Sequence, residues 1–187
     1  MLFEEVGVKG AFIIEPERRM DERGFFARMY CERELAERGL VGGICQINTG
    51  FSRRAGTLRG LHYQAPPYAE VKIVRCVRGA VYDVVVDLRP DSPTFKQWFG
   101  VELTADNGRL LYAPEGTAHG YLTLTNDTEL VYMTSFPYTA QAARGVRFDD
   151  PVFAIEWPAE VRVVSQADRS WPDFNDELAV PSGGQSA

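Results

Sequence analysis

Residues 71–88, Val-Lys-Ile-Val-Arg-Cys-Val-Arg-Gly-Ala-Val-Tyr-Asp-Val-Val-Val-Asp-Leu, form two β-branched runs split by Arg78-Gly79, and no other stretch narrows the fold class so far. Side chains branched at Cβ crowd a helix and pack well on a pleated surface, so each run reads as a strand. The Arg78-Gly79 break predicts a tight turn that joins the two runs as a hairpin. Further short runs follow at 98–103, 109–113, 119–125 and 129–135, separated by Asp-Ser-Pro, Asp-Asn-Gly, Pro-Glu-Gly and Asn-Asp. Many short strands at such spacing build a sandwich or barrel rather than alternating β and α units. Only Cys-Glu-Arg-Glu-Leu-Ala-Glu-Arg at 31–38 reads as helical, and Gly39 ends it.

A chain of 187 residues, 45% of them hydrophobic, is long enough to bury the core of one domain without staples. Within that domain, residues 1–45 are expected to give N-terminal strands and the short helix, 46–140 the barrel core and 141–174 a C-terminal segment. Residues 175–187, polar and ending in Pro-Ser-Gly-Gly-Gln-Ser-Ala, are expected to fray. No apolar run approaches the roughly 20 residues that span a bilayer, and the first residues, with Glu4 and Glu5, lack a basic and apolar leader pattern. A cytoplasmic location, with no membrane partner, is the expectation. Cys31, Cys45 and Cys76 have neither metal-ligand nor CxxC spacing and are expected to be reduced and mostly buried.

The net charge of -6 argues against nucleic acid as a partner, because that role needs a basic face. A few converging arginines still suffice for a phosphorylated small molecule, and Arg18, Arg19, Arg23, Arg53, Arg54 and Arg59 make the first third arginine-rich. In the second run of the 71–88 segment, Tyr82, Val84, Val86 and Leu88 share one face and Asp83, Val85 and Asp87 the other. A face with two aspartates in apolar surroundings is either a sheet edge or the wall of a polar cavity.

The chain has two histidines, and each closes a turn: Gly-Thr-Leu-Arg-Gly-Leu-His at 56–62 and Pro-Glu-Gly-Thr-Ala-His-Gly at 114–120. Imidazole is the side chain most readily tuned to exchange protons near neutral pH, although a lone histidine is more often a satisfied structural group. His62, Gln64, Glu70 and Gly79, followed by Pro114, Gly116 and His119, resemble the two motifs of the cupin superfamily, small double-sheet jelly-roll barrels with a ligand in the mouth. Many cupins bind a metal through three histidines and a glutamate. Here Gln64 stands where the second ligand would be, so no metal and no other cofactor is expected.

A longer series of motifs is more specific. Arg23-Gly24-Phe25-Phe26, Gln46-Ile47-Asn48, the 56–64 segment, Lys72-Ile73-Val74-Arg75 and 83–89 occur in order, followed by Ser92-Pro93-Thr94-Phe95. The 114–120 turn, Tyr132, Tyr138, Asp149-Asp150-Pro151, Ile155-Glu156-Trp157-Pro158 and Ser165-Gln166-Ala167-Asp168 complete the series. Together they resemble the dTDP-4-dehydrorhamnose 3,5-epimerase family over roughly residues 3 to 174. The resemblance implies a mainly β, cupin-like double-sheet jelly roll with a few short peripheral helices. It implies an isomerase that inverts C3 and/or C5 of a nucleotide-linked 4-keto-6-deoxyhexose. Both hydrogens are acidic because each carbon neighbours the C4 ketone.

The same resemblance assigns roles. His62 is the base, and Asp168 sets its tautomer and stabilises the imidazolium. Tyr132 is the acid on the opposite face, and Lys72 steadies the enolate oxygen. Arg59 contacts the diphosphate. Gln46 and Asn48, on one strand face, bond ribose or phosphate. Arg23 and Phe26 cross to complete the nucleotide pocket of a homodimer partner, and Tyr138 lies close to the sugar. His119 lines the pocket or supports it from behind, or is purely structural. Two positions depart from many relatives: Arg28 stands where they have glutamate, and Ala167 where lysine is frequent. A guanidinium cannot accept a hydrogen bond from a thymine imide, which leaves the base, including a GDP-linked sugar, open. A single-centre epimerase, a 3,4-ketoisomerase and a non-catalytic sugar-binding cupin are the remaining alternatives.

Overall fold

The computed structural model describes residues 1–180. One sheet runs, from edge to edge, through β1 (Leu2–Glu5), β2 (Phe12–Glu15), β10 (Leu110–Ala113), β7 (Lys72–Arg78), β12 (Thr128–Thr134) and β5 (Gln46–Ser52). The second contains β13 (Ala143–Gly145), β6 (Thr57–Gln64), β11 (Thr117–Thr123), β8 (Ala80–Asp87) and β9 (Trp98–Thr104), with β14 (Val163–Val164) beside β6. A small hairpin of β3 (Arg19–Asp21) and β4 (Gly24–Phe26) stands apart from both. The helices are short: α1 (Glu32–Ala36), α2 (Gln166–Arg169) and one 3-10 turn, Asp176–Leu178. The mainly β, double-sheet cupin-like fold with peripheral helices is therefore present, but the expected barrel is not closed, because no ladder joins the two sheets.

The hairpin expected at Arg78-Gly79 does not form. β7 pairs with β10 and β12, whereas β8 pairs with β11 and β9, so the chain steps from one sheet to the other at Gly79. Gly79 has φ +77, and a Cβ there would lie 2.5 Å from Thr125 Oγ1 and 2.6 Å from Thr128 Oγ1, so the crossing needs a residue without a side chain. Local turn chemistry is the same whether the flanking strands pair with each other or with distant partners. The distant pairing wins because it gives both strands two neighbours and buries both of their faces.

Burial falls into three layers. Between the sheets, Ile13, Val74, Cys76, Leu111 and Leu130 meet Val81, Val85, Leu103 and Tyr121. On the outer face of the first sheet, Ile14, Ile73, Leu110, Tyr112 and Met133 are covered by the N-terminal segment through Leu35 of α1. On the outer face of the second, Leu61, Val84, Val86 and Ala118 are covered by Val146, Phe153, Phe174 and Val180. These covers explain why β8 is buried on both faces from Asp83 to Asp87. They also correct the expectation for residues 175–180, where Val180 is buried and its N–H donates to the Leu88 carbonyl. The remainder of the expected frayed tail, 181–187, lies outside the described residues. The cysteines are likewise less buried than expected: Cys76 is buried, Cys31 half-buried and Cys45 exposed, all three as free thiols. Among the described residues, no helix is long and apolar enough to cross a membrane.

Candidate active site

Antiparallel register decides which side chains face each other across the gap. In the first sheet, Lys72 pairs with Thr134 and Thr134 with Gln46, while Val74 pairs with Tyr132 and Tyr132 with Asn48. Directly paired residues share a face, and the period of two puts both rows on the same one. Val74 belongs to the core between the sheets, so Lys72, Tyr132, Gln46 and Asn48 face inward. In the second sheet, His119 pairs with both His62 and Val85, and Val85 too belongs to that core. The two groups of residues line one cavity of about 1030 Å³ between the sheets, together with Arg59, Tyr138 and Asp168.

His62 reaches this cavity with its side chain 47% exposed, and its Nε2 lies 2.6 Å from Asp168 Oδ1. Asp168 is delivered by α2: Ser165 caps that helix by accepting from the Asp168 N–H at 3.0 Å, while β14 holds the preceding segment along β6. Asp168 Oδ2 accepts from the Gly60 N–H at 3.4 Å. Gly60 cannot carry a side chain, because a Cβ would lie 2.6 Å from Gly120 Cα at the close approach of β6 and β11. Burial pushes the Asp168 carboxyl up, but the hydrogen bond and charge of His62, with Ser165 and Gly60, outweigh it and hold the group below the usual carboxylate range. An anion fixed at Nε2 makes that nitrogen the proton-bearing one, which leaves Nδ1 of His62 as the free base.

The second histidine has a partner of its own. His119 Nε2 lies 2.8 Å from Oδ1 of Asp83, a fully buried residue whose Oδ2 has no partner. Desolvation pushes the Asp83 carboxyl up, against the opposing charge and hydrogen bond of His119. Of the two aspartates on the β8 face, Asp83 thus lies behind the cavity wall, where it backs His119. Asp87 instead binds Arg89, Ser92 and Thr94 and ties a turn.

Across the cavity, Lys72 Nζ lies 2.6 Å from Glu70 Oε1 and donates to the His62 carbonyl at 3.3 Å. Arg59 is held by Ser52 Oγ at 3.2 Å and the Phe51 carbonyl at 3.0 Å. Gln46 accepts from the N–H of Tyr138, whose ring is 69% exposed at the mouth. Two expected residues are not brought here: Arg23, 84% exposed and paired with Asp21, and Phe26, which lines a separate cavity with Arg28 and Glu34. Sequence reasoning did not single out the cavity residues Tyr121, Thr134 and Trp171; their alternation in strands and beside α2 carries no chemical signal.

A cupin-type metal set does not fit these residues. At the positions of the other two ligands, Glu70 is bound to Lys72 and the Gln64 side-chain carbonyl accepts from the Thr139 N–H at 2.6 Å, so neither is free to bind a metal. Among the described residues, no cluster of three or more potential metal ligands occurs.

The fold and the cavity together define a cupin-like protein in which an imidazole-carboxylate pair, His62 of β6 with Asp168 of α2, faces a phenol and an ammonium on the other sheet. The family model described as dTDP-4-dehydrorhamnose 3,5-epimerase matches residues 5–176, and the chain belongs to that family. A relative from Sinorhizobium fredii bearing that name is 40% identical over 175 residues, covering 93% of this chain and 90% of its own. A dTDP-4-dehydrorhamnose 3-epimerase from Streptomyces niveus is 38% identical, covering 90% of this chain and 82% of its own. Among solved structures, the Bacillus anthracis epimerase with TDP and PPi bound has a TM-score of 0.88 at 42% identity, covering 92% of this chain and 99% of its own. The Legionella pneumophila enzyme in complex with dTDP-4-keto-L-rhamnose has a TM-score of 0.89 at 33% identity, covering 98% and 99%.

Proposed function

We propose that this chain epimerises a dTDP-linked 4-keto-6-deoxyhexose at C3 and C5, using His62 as base, Asp168 as its anchor, Tyr132 as acid and Lys72 beside the enolate oxygen. The observation that carries this reading is the placement of base and acid on opposing sheets of one cavity, because inversion requires that a proton leave one face of a carbon and arrive at the other. His62 Nδ1 takes the hydrogen as a proton; the C–H electron pair becomes the C=C bond of an enolate, and the C4 oxygen takes the charge. The Lys72 ammonium offers that oxygen a charged donor. Tyr132 gives its hydroxyl proton to the opposite face, the enolate collapses to the ketone, and both side chains regain their original protonation from solvent. Substrate and product have the same oxidation state, so the sequence of steps balances without an electron carrier.

Arg59 provides the guanidinium for the diphosphate, Asn48 and the free amide of Gln46 serve the nucleotide end, and Tyr138 and His119 border the sugar. The decisive experiment is incubation with dTDP-4-keto-6-deoxyglucose in deuterium oxide, followed by NMR. Deuterium is expected at both C3 and C5; label at C3 alone makes this a single-centre enzyme, as one relative is named, and label at neither carbon removes the proposal.

The exposed hairpin of β3 and β4 supports a homodimer in which Arg23 and Phe26 complete the partner's nucleotide pocket. Met20, Phe25 and Phe26 expose 70%, 53% and 67% of their surface on it, and Ile47 on the edge strand β5 exposes 68%. So much apolar surface on an edge strand and on a hairpin is what a second copy would cover. Light scattering is expected to give the mass of two chains; the mass of one would exclude Arg23 and Phe26 from any pocket. The free thiols and the nucleotide-sugar substrate fit a cytoplasmic enzyme.

A further inference from the structure

We infer that Glu70 is a positioning residue for the epimerisation, holding the Lys72 ammonium where the enolate oxygen develops; the inference rests on the reaction proposed above. Glu70 and Lys72 are both largely buried at the cavity wall, with 8% and 12% of their side chains exposed, and their charged atoms are 2.6 Å apart. The carboxylate gives the Lys72 ammonium a counter-charge at contact distance on the cavity wall. Two contacts, Glu70 Oε1 and the His62 carbonyl, aim Nζ. The second of these ties the electrophile to the backbone of the base itself.

Position 70 accepts only one chemistry. Glu70 Oε2 receives a hydrogen bond from Gln64 Nε2 at 3.1 Å, while Oε1 faces Lys72. Gln64 cannot turn its amide over, because its Oε1 already accepts from the Thr139 N–H and the two hydrogens of its Nε2 face acceptors only, Glu70 Oε2 and the Tyr68 and Pro137 carbonyls. Glu70 thus sits between two donors that cannot become acceptors. Only a side chain that accepts on both oxygens satisfies both, and a carboxylate is that group. Through Gln64 the same network fastens the loop at 137–139, beside Tyr138 at the cavity mouth, so the ammonium is referenced to the rim as well as to the base.

The test is a double-mutant cycle on the full-length protein with dTDP-4-keto-6-deoxyglucose, reading deuterium incorporation, kcat and KM. Glu70→Gln preserves shape but turns a donor toward a donor; kcat is expected to fall about tenfold or more while KM changes by less than about threefold. In a Lys72→Met background the same change is expected to cost less than about twofold, because the group it positions is gone. Glu70→Asp, which alters shape but keeps two acceptor oxygens, is expected to retain more kcat than Glu70→Gln, and this ranking still reads the effect if one variant is unstable. Full kcat in Glu70→Gln, additive losses in the double variant, or a Gln variant more active than the Asp variant would each overturn the inference. Absence of deuterium incorporation by the unmodified protein would overturn the reaction proposal instead.

Discussion

His62→Ala abolishes deuterium incorporation at both C3 and C5 and lowers kcat by at least about 10³-fold, while the affinity for dTDP changes little. The expectation follows from the position of the ring. Its Nε2 is bound to the buried Asp168, and no other imidazole occupies that face with a free nitrogen and half its surface open to the cavity. His119 is the neighbouring cross-strand residue, but it is buried and bonded to Asp83, so it is poorly placed to take over. A positioned base contributes roughly 10²–10⁴-fold to one proton transfer, and the proposed reaction asks the same group to serve two carbons. Dissociation of dTDP, measured by calorimetry, separates this loss from a collapsed cavity. Incorporation at either carbon above a tenth of the unmodified rate would show that another group removes the proton.

Tyr132→Phe separates exchange from inversion. The phenyl ring fills the same place on the inner face of the first sheet, against the core between the sheets, so packing is nearly unchanged. What disappears is the proton donor on the side opposite His62. The enolate still forms, and the acid left facing the carbon is the His62 imidazolium, which after exchange with solvent returns a deuteron to the face from which the hydrogen left. Epimerised product is expected to fall by about 10²-fold or more, with deuterium appearing in the recovered substrate at unchanged configuration. Label that enters with normal inversion would assign the acid to a different residue.

Both expectations depend on residues that were legible in the sequence as types and unplaced as neighbours. His62, Asp168, Tyr132 and Lys72 are identified by a family resemblance whose motifs are local. Their convergence is not local: β6, α2, β12 and β7 come from four separate parts of the chain. The resemblance also pointed to Arg23 and Phe26, which this chain holds away from its cavity between the sheets. Glu70 and Gln64 stood out only as motif positions, because their meaning lies in hydrogen bonds to Lys72, Thr139 and Pro137 that no spacing announces.

The strands divide along the same line. The runs at 71–78 and 80–88 were readable because β-branched residues favour a pleated backbone whatever it pairs with. Their separation into different sheets was not readable, since Gly79 serves a hairpin and a sheet crossing equally well. Val180 looked like part of an unanchored end until the outer face of β8 supplied the apolar surface that buries it.

By itself, then, the amino-acid order determined where strands and turns occur, which face each side chain takes along its own strand, and the chemical types available for proton transfer. Tertiary structure alone decided which faces oppose one another, which nitrogen of His62 meets Asp168, and that Lys72 has a counter-charge. The reason is physical: backbone preference and side-chain alternation act over a few residues, whereas pairing partners and burial are set by contacts between segments far apart in the chain.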